Sequence, residues 1–163
     1  MFRARIIFPI LMLLFLSCTK YERKQRQRIN PTGFSIEVKI NDKLSTGQII
    51  ERDAPVAMIH VWKSNNRNFV VKSVGQAVDG YATDLISDRL ESAYYTSLSS
   101  PASDRATEGK YFVFVMLDES PSTGKFSWSY TTFEVIKGEQ TDLKKTFTSH
   151  VSNNQFEEWH AFE

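Results

Sequence analysis

The chain has 163 residues, 41% of them hydrophobic, 13% aromatic and 24% charged, with a formal net charge of +1. That length suits one domain with a core of its own, and the excess of acidic over basic residues from Ile29 onward argues against a nucleic-acid partner for that domain. Cys18 is the only cysteine, so no internal disulfide is available and the fold must hold by packing.

The first residues have three parts in a telling order. Arg3 and Arg5 give a positive start, Ile6 to Leu16 is an apolar run containing Pro9, and Ser17 precedes Cys18. This is the order of a secretory signal, and the run falls far short of the roughly 20 residues that a spanning helix needs. The residues Phe15-Leu16-Ser17-Cys18 resemble the lipobox of bacterial lipoproteins. Phe15 stands where the usual pattern has an aliphatic residue, and looser boxes of this kind are similar to those of Bacteroidetes-type lipoproteins. The resemblance implies a signal peptide over 1–17, cleavage before Cys18, a diacylglyceryl thioether on its sulfur and acylation of the new amino group. Two or three acyl chains anchor durably where one holds only marginally, at about 0.8 kcal/mol per buried methylene. Thr19 replaces the Asp of the enteric inner-membrane retention signal, which implies a cell-envelope location at the outer membrane, on either its periplasmic or its surface face.

The overall charge conceals a split. Lys20, Arg23, Lys24, Arg26 and Arg28 oppose only Glu22, while acidic residues exceed basic ones from Ile29 onward. Residues 18–33 therefore read as a basic, flexible linker, either a solvated tether beside anionic head groups or a charged spacer with no partner. As a coil it spans about 20 Å.

From there the pattern is mainly β. Phe34 to Ile40 alternates apolar and polar residues, which predicts a strand with one wet face ended by Asn41-Asp42-Lys43. Val56–Trp62 and Tyr111–Leu117 are apolar on both parities, which predicts strands covered on both faces. Phe69 to Val74 is a short strand candidate. Leu85, Ile86, Leu90, Ala93, Tyr94 and Leu98 recur at helical spacing behind Thr83 or Asp84, which predicts one helix over about Asp84–Tyr95. Ser97–Thr107 reads as a polar loop, and Asp118–Lys125 as the loop of a hairpin. The next strand carries Phe126, Trp128 and Tyr130 on one parity, then Phe133 and Val135 on the other, which predicts a bulge near Thr131 and Thr132. Lys137-Gly138-Glu139 is a turn, and Leu143–Phe147 returns as a last strand.

These elements predict a mainly β fold: a two-sheet antiparallel β-sandwich over 34–149 with one short helix, transthyretin-like or immunoglobulin-like, followed by a tail over 150–163. Pro55 to Trp62 is similar to the P-V-x-x-x-x-V strand of transthyretin-like and carboxypeptidase-regulatory-like sandwiches, and Gly109 to Val115 resembles their G-x-Y-x-V strand. Both motifs are short. Such folds host many functions, so the likeness bears on architecture and not on activity.

Catalytic motifs are sparse. No G-x-S-x-G occurs, and Thr123-Gly124-Lys125 lacks the upstream glycine of a phosphate-binding loop, since Glu119 holds that position. His60, His150 and His160 lie far apart, and His60 reads as a core histidine. Asp84, Asp88 and Glu91 would share one face of the predicted helix, where carboxylates suit a hard cation or acid–base work, but the loop of a dedicated calcium site is missing and an exposed charged face explains the set without function. Asp118 and Glu119 beside a turn read the same way. Neither a metal nor a cofactor is expected.

Aromatic residues are the stronger signal. Trp62, Trp128, Tyr130 and Trp159 are possible ligand-binding residues: Phe126, Trp128 and Tyr130, if outward, form a flat row for sugar rings or another strand. If inward they are core, and Ser127, Ser129 and Thr131 on the other parity read as a solvent face, which favours the inward reading. Phe156, Trp159 and Phe162 among Glu157, Glu158 and Glu163 suggest an amphipathic turn or a docked tail. The expectation is a non-enzymatic, lipid-anchored envelope protein acting as a binding or assembly module, partnered by the membrane and by an envelope protein. A glycan-binding surface lipoprotein is the alternative, and a hydrolase with a spatially assembled site stands third.

Overall fold

A computed structural model describes residues 31–54, 56–120, 125–148 and 155–159. Cys18 and the basic linker, together with His150 and His160, lie outside the described residues. So do 121–124 of the hairpin loop and the side chains of Asp118 and Glu119. The compact unit begins at Pro31, and its architecture is a mainly β sandwich with mostly antiparallel sheets and one short helix.

The first strand, β1 (Gly33–Lys43), carries out the alternation in its sequence. Phe34, Ile36, Val38 and Ile40 are buried, while Ser35, Glu37 and Lys39 face the other way. It pairs in parallel with β11 (Gln140–Thr148) along one edge. Along the other edge it pairs antiparallel with β8 (Ala102–Arg105) at its start and with β2 (Ile49–Asp53) at its end. Between those two partners Ser100 stands in for a strand: its hydroxyl accepts from Val38 N at 2.6 Å and donates to Val38 O. Gly33 permits the close approach of β8, because a Cβ there would overlap the carbonyl oxygen of Asp104.

The central sheet runs β12-β10-β9-β3-β7, with β3 at Ala57–Lys63, β7 at Tyr95–Ser97, β9 at Gly109–Ser120, β10 at Lys125–Val135 and β12 at Gln155–Phe156. Its inner face meets the first sheet. There Ala57, Ile59 and Val61 from β3 and Val113, Val115 and Leu117 from β9 pack against the buried row of β1, closed at one end by Phe133 and Val135. Each fully buried Val, Leu or Ile contributes roughly 1.5–3 kcal/mol, so this face holds most of the stability.

The outer face of the central sheet is covered in part by a third layer. It comprises the small sheet β4-β5-β6 (Phe69–Val70, Tyr81–Asp84, Arg89–Ser92) and the single helix α1 (Val74–Asp79). Strands β3 and β9 are thus buried on both sides, as their doubly apolar sequences predict.

Several expectations need correction. The helix lies over Val74–Asp79 and not over Asp84–Tyr95. Its start is an S-x-x-Q box: Ser73 Oγ accepts from Gln76 N at 3.1 Å, and the Gln76 side chain accepts from Lys72 N at 2.8 Å. It stops at Gly80, whose φ of +70° suits glycine. Asp84 instead holds a hairpin turn, its carboxylate accepting from Ile86 N at 3.0 Å and Ser87 Oγ at 2.9 Å, and the helically spaced Leu85, Ile86, Leu90, Tyr94 and Leu98 are exposed.

Strand β10 runs without a bulge near Thr131 and Thr132; its register shift falls at Lys125/Phe126. What switches is which face is apolar. Ser127 and Ser129, expected in solvent, are fully buried toward the first sheet. The predicted breaks at 41–43 and 118–120 are strand, with β1 running through Lys43 to a turn at 44–48 and β9 through Ser120. The predicted polar loop over 97–107 contains β8, and β2 had no strand signal because its Ile-Ile-Glu-Arg-Asp does not alternate and is exposed on both faces.

Candidate binding groove

Side chains of β3, β9 and β10 that point away from the first sheet form an aromatic floor. Trp62 and His60 come from β3, Phe112, Phe114 and Met116 from β9, and Trp128 and Tyr130 from β10. Trp62 lies 5.7 Å from Phe112 and 6.3 Å from Phe69, and its indole N–H donates to the Glu91 carbonyl at 3.0 Å. It is only 1% exposed, so the third layer has made it core. The same layer buries His60 against Gly80. Burial holds its pKa below the ordinary histidine value, with the Ala77 backbone partly opposing.

The C-terminal tail is docked over 155–159 and extended at β12. β12 pairs in parallel with β10 at Ser127 and Trp128, and Glu157 N donates to the Trp128 carbonyl. The Glu157 carboxylate accepts from Thr148 N and from Thr148 Oγ1 at 2.7 Å, tying the tail to β11 of the first sheet. Lys145, an inward residue of β11, donates through Nζ to the Glu158 carbonyl at 2.7 Å and lies 3.8 Å from the Glu157 carboxylate. Burial lowers its pKa, with Glu157 and Glu158 opposing. Trp159 follows and is 9% exposed, packed into the core between the sheets. The tail therefore closes an open side of the sandwich.

Of the four aromatic residues singled out from sequence, Trp62 is core, Trp159 is largely buried but also lines the groove that holds Tyr130, and Trp128 is half-buried beside α1. Tyr130 is 47% exposed, and the structure sets it next to a residue not grouped with it, Phe156, at 44%. Their ring centroids are 5.1 Å apart, with Phe112 5.7 Å behind Tyr130. These residues line an open groove of about 560 Å³ bounded by the tail on one side and the loop after β3 on the other. That loop supplies Ser64, Arg67 and Asn68. Arg67 is fixed: Nη2 donates to the Lys63 carbonyl at 3.2 Å, Nη1 lies 3.4 Å from the Glu91 carboxylate, and the guanidinium sits 4.9 Å over the Phe69 ring. Phe156 was recoverable from its spacing with Trp159, but nothing local announced that β12 would carry it to Tyr130.

The acidic trio is dispersed in role. Asp84 caps its turn, Asp88 pairs with Lys72 at 3.2 Å, and Glu91 pairs with Arg67. Hydrogen bonds from Ile86 N and Ser87 hold the Asp84 carboxyl below its ordinary pKa. Among the described residues no three His, Cys, Asp or Glu side chains are grouped to hold a metal, and no helix is long and apolar enough to cross a membrane. Protein-family models, curated proteins and solved structures offer no match to this chain.

Proposed function

We propose that the protein is a non-enzymatic lipoprotein of the cell envelope, held at a membrane by lipid on Cys18, and that its sandwich is a binding or assembly module. The observation that supports binding most is the groove beside Tyr130. Its two half-exposed aromatic rings share one groove with a held guanidinium, whereas the other half-exposed rings, Tyr81 and Tyr94, lie outside that groove. A cleft of a few hundred Å³ with aromatic lining and a few placed polar groups is the usual form of a binding site. The leader and basic stretch at 20–28 support the anchor, with the linker giving the module reach from the bilayer.

The two halves of this reading are tested separately. Metabolic labelling with an alkyne fatty acid should mark the wild type and not Cys18→Ala; equal labelling would remove the anchor. A photoreactive phenylalanine analogue placed at position 130 in intact cells should give an ultraviolet-dependent adduct with an envelope component. Absence of any adduct contradicts the binding role.

A further inference from the structure

We infer that the Tyr130–Phe156 groove takes a neutral oligosaccharide with equatorial hydroxyls, the chemistry of β-linked glucose or N-acetylglucosamine chains. The inference rests on the reading of the sandwich as a binding module and names its ligand class. Tyr130 and Phe156 meet at an interplanar angle of 37°, and Tyr130 meets Phe112 at 40°. Tyr130 and Phe156 thus present two tilted facets, backed by the buried Phe112, and not a slot for one flat ring. A pyranose with equatorial hydroxyls suits such facets. Its two faces are C–H surfaces that pack on the electron-rich faces of aromatic rings, and its hydroxyls project around the rim.

The rim of this groove is polar in the required sense. Arg67 is held by the Lys63 carbonyl and by Phe69, so its unused N–H groups are oriented before a ligand arrives and lose little freedom on binding. Asn68 is exposed beside it and offers both a donor and an acceptor, and Glu158 on the opposite wall offers acceptors only. Hydroxyls both donate and accept, so this mixture satisfies them. The charges point to a neutral ligand. Glu91 offsets Arg67 and Glu158 adds a carboxylate, so the groove's described residues hold no positive excess for a phosphate or an acidic sugar. Its volume of about 560 Å³ exceeds what a single apolar fragment needs, and its open form lets a chain run through. An extended peptide would instead add to the β10 edge, which among the described residues β12 pairs at Ser127 and Trp128.

The test is calorimetric titration of the purified full chain, in a zwitterionic detergent free of sugar, with cellohexaose, laminarihexaose and chitohexaose. At least one should bind with a Kd of about 1 mM or tighter. Tyr130→Ala and Phe156→Ala should each weaken it by about tenfold or more, while Ile49→Ala on the distant β1–β2 hairpin should not. Thermal melts confirm that each variant is folded. Binding by none of the three saccharides overturns the inference, and so does binding unchanged in both aromatic variants. Failure of the saccharides with a persisting protein adduct at position 130 removes the sugar and keeps the module. Failure of both removes the module as well.

Discussion

The two faces of the central sheet are built by the same strands and differ in almost every physical respect. The inner face is aliphatic along its middle, with Tyr95, Tyr111 and Phe133 packed ring to ring around Phe34 at one end; it meets a full sheet and is sealed by the docked tail. Its opposite is aromatic, is covered by a small three-stranded sheet and one helix turn, and stays open at the Tyr130 end. Aliphatic side chains interdigitate on a pleated surface and exclude water completely. Large rings on the outer face leave gaps unless each edge meets a partner, and the third layer is too small to supply one everywhere. One sheet thus separates stability from exposure, residue by residue along each strand.

Adjacent residues in β3 break or sharpen this contrast. Ile59 points into the closed face and is fully buried. Ile59→Ala should destabilise the fold by about 2–5 kcal/mol in urea unfolding, since a sheet pressed against a sheet relaxes little around a cavity. A loss below about 1 kcal/mol would mean that the inner face is loosely packed. His60, one residue on, faces outward and is kept neutral by burial. Its depressed folded pKa means that the unfolded chain binds a proton first as pH falls. Its contribution is therefore complete above the unfolded value of about 6.5 and declines below it, until the folded value is passed. The urea midpoint should fall between pH 7.5 and pH 5.5, and His60→Met should flatten that decline. An unchanged slope in the variant would place the acid sensitivity elsewhere.

How much of this was readable in the residues follows the same division. Alternation in Phe34–Ile40 and double-sided apolarity in Val56–Trp62 and Tyr111–Leu117 report local burial, so those strands could be recognised directly. The helix was misplaced because helical spacing over 84–98 is incidental there, while the S-x-x-Q box at Ser73–Gln76, ended by Gly80, was the physical start signal. Ser127 and Ser129 misled because small hydroxyls read as solvated, whereas here they fit under the first sheet with no hydrogen-bond partner. The groove was half visible. Tyr130 and Trp159 are among the aromatic candidates, but the pairing of Tyr130 with Phe156 depends on a parallel strand contact between distant segments, and Trp62 is hidden by a layer that no local pattern encodes.

The smallest expected effect on stability is the most informative. If the outer face at its open end serves a ligand and not the fold, removing its two exposed rings should cost little. In differential scanning calorimetry of the full chain, Tyr130→Ala/Phe156→Ala should melt within about 3–4 °C of the wild type, the shift expected for about 1 kcal/mol in a domain of this size. A fall of more than about 10 °C would contradict the account, because the pair would then be holding the tail and the sheet together in place of presenting a surface.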